Sequence, residues 1–421
     1  MLLNIFIVLS TLLIAYYFAN KKFTLFTVLF FVFYQYVWMS ISILIIENNG
    51  YISEQMRYGY FIYANVYLFL FYITSILSFV FFYQLFYKKI GIKLPRFKFN
   101  KTPESKLIYY LLLILLFIAY LNYFLSPNLL NNNSVTKFNF WKTAKFPFLS
   151  SVLGNVMGYV AFGAGLVLAT HKKRGIFLIV LYFVYIILIG QKFSGLILGS
   201  YAILLAYYHL KKIKFNIKLK YIFNKYILIT VIVLFGLIHN EYSKKNPYRH
   251  LDLSPTEAIF YRTFNLQGHL FWGVSEKYIH RETTKTYNLS ELKEGMHTLM
   301  YEFYPKTHLK YLPSVIERGV SWTNAYPSLL LKIFPLPLAL LFHFIIFALI
   351  PFFFMLLIKM IESGNLFFSI IFFQLITWIN NAYIMGYFGR LIKVFIILFV
   401  MLLAIFIYKK YTEYKLLKDE N

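Results

Sequence analysis

Long runs of apolar residues alternate with short polar connections along most of the chain. A helix that rises about 1.5 Å per residue needs about 20 residues to cross the hydrocarbon core of a bilayer, and most of these runs reach that length. The pattern predicts an all-α, polytopic integral membrane protein with about eleven transmembrane helices, within a range of about ten to twelve. The predicted spans are 2–19, 23–46, 59–87, 107–125, 150–170, 175–189, 194–210, 222–239, 334–358, 366–384 and 391–408.

One long polar segment interrupts the apolar pattern. Residues 240–333 hold most of the acidic residues and most of the histidines of the chain. A connection of this length inside a compact protein is usually functional. We therefore divide the chain into spans one to eight (1–239), a large loop (240–333), and spans nine to eleven with a tail (334–421).

The basic residues predict the orientation of the spans. Lys and Arg concentrate in alternate connections, and cytoplasmic loops of membrane proteins carry an excess of these residues. The N-terminus is then expected outside and the C-terminus in the cytoplasm. The loop at 240–333 follows an outward-running span, so we expect it outside, with amphipathic helices of its own. The basic connections are 20–22, 88–106, 171–174, 211–221, 359–365 and 409–421.

Composition narrows the class of protein further. The chain is 60% hydrophobic and 14% charged, which is far from a soluble domain. The net charge of +26 is explained by basic cytoplasmic loops, so it does not indicate a nucleic-acid partner. The chain has no Cys and only two Asp, Asp252 and Asp419. We therefore expect no thiol chemistry, no cofactor and no protein-held metal.

The large loop contains a strong helix-start signal at residues 254–257. Ser254 is typical of an N-cap, Pro255 of the first helical position, and Glu257 completes a capping box. A helix that continues from there places Asn265, His269, Gly273 and Glu276 within about 60° of Arg262 at about 100° per residue. Phe260, Phe264, Phe271 and Val274 fall on the opposite face.

Two interpretations of this polar stripe stay open. The stripe could face lipid headgroups, as in an interfacial amphipathic helix, or it could line a substrate cleft. The mixture of Arg, Asn, His and Glu favours the cleft, because helices that lie on lipid usually carry a Lys- or Arg-rich polar face. Other cations on the outer side favour an anionic ligand, and Arg suits a phosphate or diphosphate. These cations are Lys192, Arg281, Arg318, Arg390 and Lys393.

The layout of the chain resembles the Wzy-type polymerases, which assemble O-antigen and capsular polysaccharide from oligosaccharide repeat units. Three features carry the resemblance: many spans with one large outer loop late in the chain, an aromatic-, Ile-, Lys- and Asn-rich composition, and Arg262 followed by ten residues and Gly273. This spacing matches an Arg-x10-Gly pattern of periplasmic loops in the family. Arg249, Arg281 and Arg318 do not supply a second copy.

The resemblance implies a location, a reaction and partners. The protein would lie in the bacterial cytoplasmic (inner) membrane as a multi-pass glycosyltransferase and polymerise undecaprenyl-diphosphate-linked oligosaccharides at its outer face without a metal. A chain-length regulator protein is a possible partner. His269 is the first candidate for the general base, with Glu276 and Glu257 as alternatives. The expected diphosphate-binding residues are Arg262, Lys192, Arg281, Arg318, Arg390 and Lys393.

Other functions remain open from the sequence. An O-antigen ligase would share the topology and the metal-free chemistry. A lipid-linked oligosaccharide flippase would not be an enzyme, and we would expect it to carry charges within its spans. A membrane O-acyltransferase would need a buried histidine, for which His343 in the ninth span is a candidate, although such a residue more often bonds a neighbouring helix.

Overall fold

The structure is a computed structural model of the chain, and the regular elements of its described residues are helical apart from one pair of two-residue strands. Strands β1 (Tyr51–Ile52) and β2 (Arg57–Tyr58) pair antiparallel. The structure describes residues 2–49, 51–52, 57–58, 63–90, 104–128, 132, 135, 140–190, 193–212, 232, 235–236, 238–240, 242–243, 253–304, 306–317 and 324–419.

The helices fall into two groups along the chain. Those of the first group are α1 (Leu2–Lys21), α2 (Phe23–Asn49), α3 (Ala64–Gln84), α4 (Glu104–Leu125), α5 (Phe140–Thr143), α6 (Leu149–Thr170), α7 (Lys172–Leu188) and α8 (Phe193–Lys211). Those of the second group are α9 (Pro255–Phe260), α10 (His269–Ser275), α11 (Glu291–Glu294), α12 (Met296–Phe303), α13 (Leu312–Glu317), α14 (Ser328–Ile333), α15 (Leu336–Ile346), α16 (Leu349–Glu362), α17 (Leu366–Met385) and α18 (Leu391–Asp419).

The protein is a helical membrane protein by the length and composition of its helices. Within the described part of the chain, six stretches are long and apolar enough to cross a bilayer. The prediction of eleven spans and of their orientation remains a prediction, and most of the predicted span 222–239 lies outside the described residues. The six stretches are Leu2–Lys21, Phe23–Asn48, Ala64–Tyr87, Glu104–Leu125, Leu336–Glu362 and Leu366–Met385.

The predicted span 334–358 is two helices rather than one. Helix α15 ends at Ile346, and α16 begins at Leu349. Pro351 explains the interruption, because its ring clashes with the carbonyl of the residue four positions earlier, which is Phe347, and it has no N–H to donate. The chain nevertheless continues in the same membrane-length stretch.

Long-range contacts show which helix ends share a face of the bundle. The carboxylate of Glu104, at the start of α4, accepts a hydrogen bond of 2.8 Å from the Leu366 N–H, so the first turns of α4 and α17 lie together. At the other end of α17, the backbone of Gly386 contacts Gly295 of the large loop. The two ends of α17 are therefore both held by groups distant in the sequence.

The described residues 253–333 form a helical cap over one end of the bundle, and we call this segment the cap. It contains α9 to α14 together with two π-helical turns, Tyr261–Asn265 and Glu276–His280, and a 3-10 turn, Lys306–Tyr311. Helix α10 packs against α2 and α3, so the cap is seated directly on membrane-length helices.

Candidate functional site at the junction of cap and membrane helices

The start of the cap has the local structure that its sequence predicts. The Ser254 N–H donates to Glu257 Oε2 over 2.8 Å, and the Glu257 N–H donates to Ser254 Oγ over 3.3 Å. Pro255 occupies the first helical position. The hydrogen bonds from Ser254 stabilise the carboxylate and hold the pKa of Glu257 below its usual value. Glu257 is therefore an exposed capping residue, ionised at neutral pH.

The continuous helix expected over 255–276 is wrong. The helix stops at Phe260, winds as a π turn to Asn265, turns through 266–268, and restarts at His269. Helix α2 causes the interruption: Ser42 Oγ donates to the Asn265 carbonyl over 2.6 Å and accepts from the Gly268 N–H over 2.8 Å. A Cβ on Gly268 would lie 2.7 Å from the Met39 carbonyl oxygen, so only glycine permits this approach.

The interruption separates the residues of the expected polar stripe. Arg262 is exposed on the π turn, whereas every residue of α10 is buried. Helix α10 is therefore neither an amphipathic helix lying on lipid nor a helix with one polar face on a cleft. Gly273, the second residue of the Arg-x10-Gly pattern, is inside the packed part of the cap.

His269 is buried at the start of α10. Its Nδ1 is hydrogen-bonded to the Leu266 carbonyl oxygen. Burial disfavours the charged imidazolium and lowers the pKa of His269 to about 4. The ring is therefore neutral at pH 7, a form that can accept a proton, but it is only 1% exposed. A substrate would reach it only after a movement of the cap.

The structure brings together two other predicted residues, Glu276 and Arg281. Glu276 is buried, Arg281 is exposed, and the two side chains form an ion pair. The Arg281 N–H also donates to the Glu276 carbonyl oxygen over 3.0 Å, which closes the π turn. The pair gives the buried carboxylate a partner and leaves the outer side of the guanidinium facing solvent.

Sequence reasoning missed a buried charge network that holds the cap together. Lys332 Nζ lies 3.0 Å from a carboxylate oxygen of Glu291 and 2.9 Å from one of Glu302. Lys277 Nζ and the Tyr278 hydroxyl bond the other Glu302 oxygen over 2.5 and 2.8 Å. Burial opposes ionisation of Glu302, but these donors outweigh it and hold its pKa below the usual value.

The cap meets the connection between α17 and α18 through two glycines. Gly295 and Gly386 both have positive φ, +59° and +73°; Gly386 is in the left-handed helical region, and Gly295, with ψ of −126°, lies outside it. A Cβ on Gly295 would lie 2.7 Å from the Gly386 carbonyl carbon and 2.5 Å from Tyr387 Cδ1. Glycine at position 295 therefore permits both the turn and the close approach.

Basic side chains gather around Tyr387 at this junction. The His297 ring meets the Tyr387 ring edge to face, with 5.2 Å between centroids, and the Arg390 guanidinium carbon lies 5.1 Å from the Tyr387 centroid. Lys293 packs against Gly389: a Cβ on Gly389 would lie 3.0 Å from Lys293 Cγ. We call Lys293, His297, Tyr387 and Arg390 the Tyr387 cluster.

The Tyr387 cluster has a positive local field. Partial burial lowers the pKa of His297, and the nearby Arg390 lowers it further, while Glu294 acts in the opposite direction. Burial raises the pKa of Tyr387 to about 12, so its hydroxyl stays neutral. Of the four residues, the sequence singled out Arg390 alone. Lys293 and His297 lie far from it along the chain, and the docking of the cap on the α17–α18 connection brings them near.

The remaining predicted residues have separate positions. Lys393 is exposed in the first turn of α18, three residues after Arg390. Lys192 and Arg318 lie outside the described residues. The structure thus pairs Glu276 with Arg281 and places Arg390 in a basic cluster, while Arg262, His269 and Glu257 occupy three different environments. Among the described residues, no group of three or more His, Asp or Glu is placed to hold a metal ion.

A second polar group lies within the membrane helices and centres on His343. His343 Nε2 is 2.7 Å from Ser75 Oγ, and Nδ1 is 2.5 Å from the Tyr326 hydroxyl. Gln35 Nε2 donates to the Tyr326 carbonyl oxygen over 2.8 Å. The His343 side chain is fully buried and both ring nitrogens have partners. This arrangement joins α2, α3 and α15 to the end of the cap, the helix–helix role that the sequence left open.

The comparisons with known proteins give one partial match. A family described as "Family of unknown function (DUF6418)" matches residues 289–408. This region runs from the second half of the cap into α18 and contains the whole Tyr387 cluster. No curated protein matches the chain. No solved structure matches it either.

Proposed function

We propose that this protein polymerises undecaprenyl-diphosphate-linked oligosaccharide repeat units into O-antigen or capsular polysaccharide at the outer face of a bacterial cytoplasmic membrane. The observation that carries the proposal is the seating of a folded, charged cap on membrane-length helices, with basic residues at the junction. A lipid-linked sugar has an apolar tail, an anionic linker and a polar glycan. At the junction, the membrane-length helices would face the tail, the basic residues the anionic linker, and the cap the glycan.

The proposed reaction needs an acid–base group and an anion site. A hydroxyl of one repeat unit attacks the anomeric carbon of the other, growing chain and forms the new glycosidic bond. The bond from that carbon to the diphosphate oxygen breaks, and undecaprenyl diphosphate leaves with the electron pair. The hydroxyl proton passes to a base. Cations that bind the diphosphate stabilise the charge that develops on the leaving group.

The described residues differ in how well they fit these roles. Arg390 and Lys393 lie at the start of α18, beside the cap, and are exposed. Arg262 is exposed on the first π turn, and Arg281 is exposed directly after the second. These four cations are our diphosphate-binding candidates, together with Lys192 and Arg318. The phosphates of a membrane-anchored substrate would lie at the level where the spans end.

Three residues are proposed for the base. Glu276 is the strongest on geometry, because it is buried beside an exposed arginine that could be drawn to the substrate's phosphate and release the carboxylate. His269 is neutral but buried, and the Glu257 carboxylate is engaged in the capping box with Ser254. Glu276→Gln should therefore reduce polymer formation more than Glu257→Gln, since the amide keeps the shape and cannot accept the proton.

The test is the size distribution of surface polysaccharide from cells that lack this protein. We expect the ladder of long chains to disappear, while a single repeat unit stays attached to the acceptor. Plasmid-borne wild type should restore the ladder, and Arg390→Gln or Glu276→Gln should not, at matched protein levels in the membrane. Loss of every attached unit would indicate the ligase or the flippase instead. An unchanged ladder would contradict the proposal.

A further inference from the structure

Two basic side chains contact one aromatic ring at the cap junction, and a third packs beside them. His297 and Arg390 contact the Tyr387 ring at 5.2 and 5.1 Å, and Lys293 packs on Gly389, next to Arg390 in the chain. The two residues from the cap and the two from the α17–α18 connection therefore form one surface. Its geometry is fixed by the backbone contact between Gly295 and Gly386.

Among the described residues, no ion pair neutralises the positive charge of this surface. The ion pairs between described residues involve Lys277, Arg281 and Lys332, and none includes Lys293, Arg390 or His297. Glu294 is the acidic residue whose charge reaches His297, and its carboxylate accepts a hydrogen bond of 3.3 Å from Thr298. The cluster keeps an excess of positive charge while its ring and backbone contacts hold it in place.

We propose that Lys293, His297 and Arg390, arranged around Tyr387, bind a phosphate-group anion. The inference rests on the proposed function for its biological ligand, the diphosphate of a polyprenyl lipid. Arg390 presents a planar group of N–H donors that matches two phosphate oxygens, and Tyr387 orients that plane. Lys293 adds a mobile point charge, and His297 can donate from a ring nitrogen.

The position of the cluster favours an anion carried by a lipid. Tyr387 and Arg390 directly follow the membrane-length stretch that ends at Met385. They also precede α18, whose exposed side includes Ile392, Phe395, Ile396 and Phe399. A phosphate held at Arg390 would therefore have its chain beside an apolar helix surface. A carboxylate-bearing sugar would not need such a neighbour.

The direct test is binding to the full-length protein in nanodiscs of zwitterionic lipid. The probes are geranylgeranyl diphosphate, the uncharged alcohol geranylgeraniol, and inorganic diphosphate. We expect the lipid diphosphate to bind and the alcohol to bind at least about tenfold more weakly. Inorganic diphosphate that binds equally well would support the anion site with a soluble source. Weaker binding of inorganic diphosphate would support the lipid-borne source.

Variants assign the binding to the cluster. Arg390→Gln should weaken binding of the lipid diphosphate about tenfold or more, and Arg390→Lys should weaken it less, because the charge remains and the planar fork is lost. Lys293→Gln and His297→Gln should each have smaller effects in the same direction. The matched control is Lys310→Gln, which removes an exposed cap lysine that also lies over a tyrosine ring, Tyr311 at 4.9 Å.

Two outcomes would overturn the inference: equal binding of the diphosphate and the alcohol, or equal weakening by Arg390→Gln and Lys310→Gln. Each variant is compared at an unchanged thermal unfolding midpoint, and Arg390→Lys serves where Arg390→Gln does not fold. The polysaccharide ladder separates this inference from the proposed function. Cluster-dependent binding with an unchanged ladder in deletion cells would keep the anion site and reject the polymerase. Loss of the ladder in deletion cells, together with binding that does not depend on the cluster, would reject the anion site and keep the polymerase.

Discussion

Gly295 and Gly386 place their backbones in contact, one from the cap and one from the end of a membrane-length helix, and both have positive φ. The contact is asymmetric. A Cβ on Gly295 would lie 2.7 Å from backbone of its partner, whereas a Cβ on Gly386 would lie no closer than 3.4 Å to any neighbour. Both positions have positive φ, but ψ is 9° at Gly386, in the left-handed helical region, and −126° at Gly295, outside it. They also differ in the available space.

This asymmetry predicts different effects of two alanine substitutions. Gly386→Ala should destabilise the protein by about 1–2 kcal/mol, the cost of a left-handed residue with a side chain. Gly295→Ala should cost more, because its backbone conformation lies outside the left-handed helical region and the two backbones must also move apart. The thermal unfolding midpoint of the purified protein measures the loss of stability in each variant. Proteolysis of the cap measures whether Gly295→Ala also loosens the cap. Equal effects of the two substitutions would contradict the close contact.

Removal of the Lys332 ammonium should be the most damaging of the charge changes in the cap. Lys332→Gln leaves the buried Glu291 and Glu302 carboxylates without their shared cation, and breaking a buried ion pair from one side costs about 3–5 kcal/mol. Lys277→Gln should cost less, because Glu302 keeps Lys332 and the Tyr278 hydroxyl. The measurement is the thermal unfolding midpoint of each variant. A larger effect of Lys277→Gln would show that the network is not centred on Lys332.

The buried His269 predicts a loss of stability in acid. Its pKa is about 4 in the folded protein and about 6.5 when exposed, so the folded state binds the proton more weakly. This contribution to stability is complete above about pH 6.5 and is lost progressively as the pH falls towards about 4. His269→Gln should flatten this part of the pH profile of unfolding. A variant with the same slope as the wild type would remove His269 as its source.

Anion binding at the Tyr387 cluster should strengthen as the pH falls from about 8 to about 6. In the free protein, partial burial and Arg390 hold the pKa of His297 low, while Glu294 opposes them. A bound anion would offset Arg390 and Lys293, favour the protonated ring and raise that pKa, so binding takes up a proton. Tyr387 stays neutral over this range. In His297→Gln, the affinity for the anion should change with pH only as the ligand itself titrates. The same pH dependence of affinity in the wild type and in His297→Gln would contradict the role of His297.

The parts of the structure that the sequence predicts correctly depend on neighbouring residues. The capping box at Ser254 and Glu257 needs only four consecutive positions, and the membrane-length helices need only a run of apolar residues. The interruption at Gly268 depends on Ser42, which is 226 positions away. Local periodicity carries no information about such a contact, so the continuous polar stripe was wrong.

The candidate site shows the same limit. Arg390 stood out because cations are disfavoured in short outer connections, but its neighbours Lys293 and His297 depend on how the cap docks. The break before α16 is different, because Pro351 was a visible signal for it. The predicted spans underweighted that proline because the surrounding run is uniformly apolar.

The buried charge network also sets an order on the assembly of the protein. Lys277, Glu291 and Glu302 leave the ribosome before Lys332, which immediately precedes the next membrane-length stretch. Glu302 can pair with Lys277 before that point, but both carboxylates lack the cation they share until Lys332 has been made. Synthesis runs from the N-terminus, so the network can be completed only after Lys332 has been made. We therefore expect the cap to reach its full stability late in synthesis, close to the point at which the stretch Leu336–Glu362 is made.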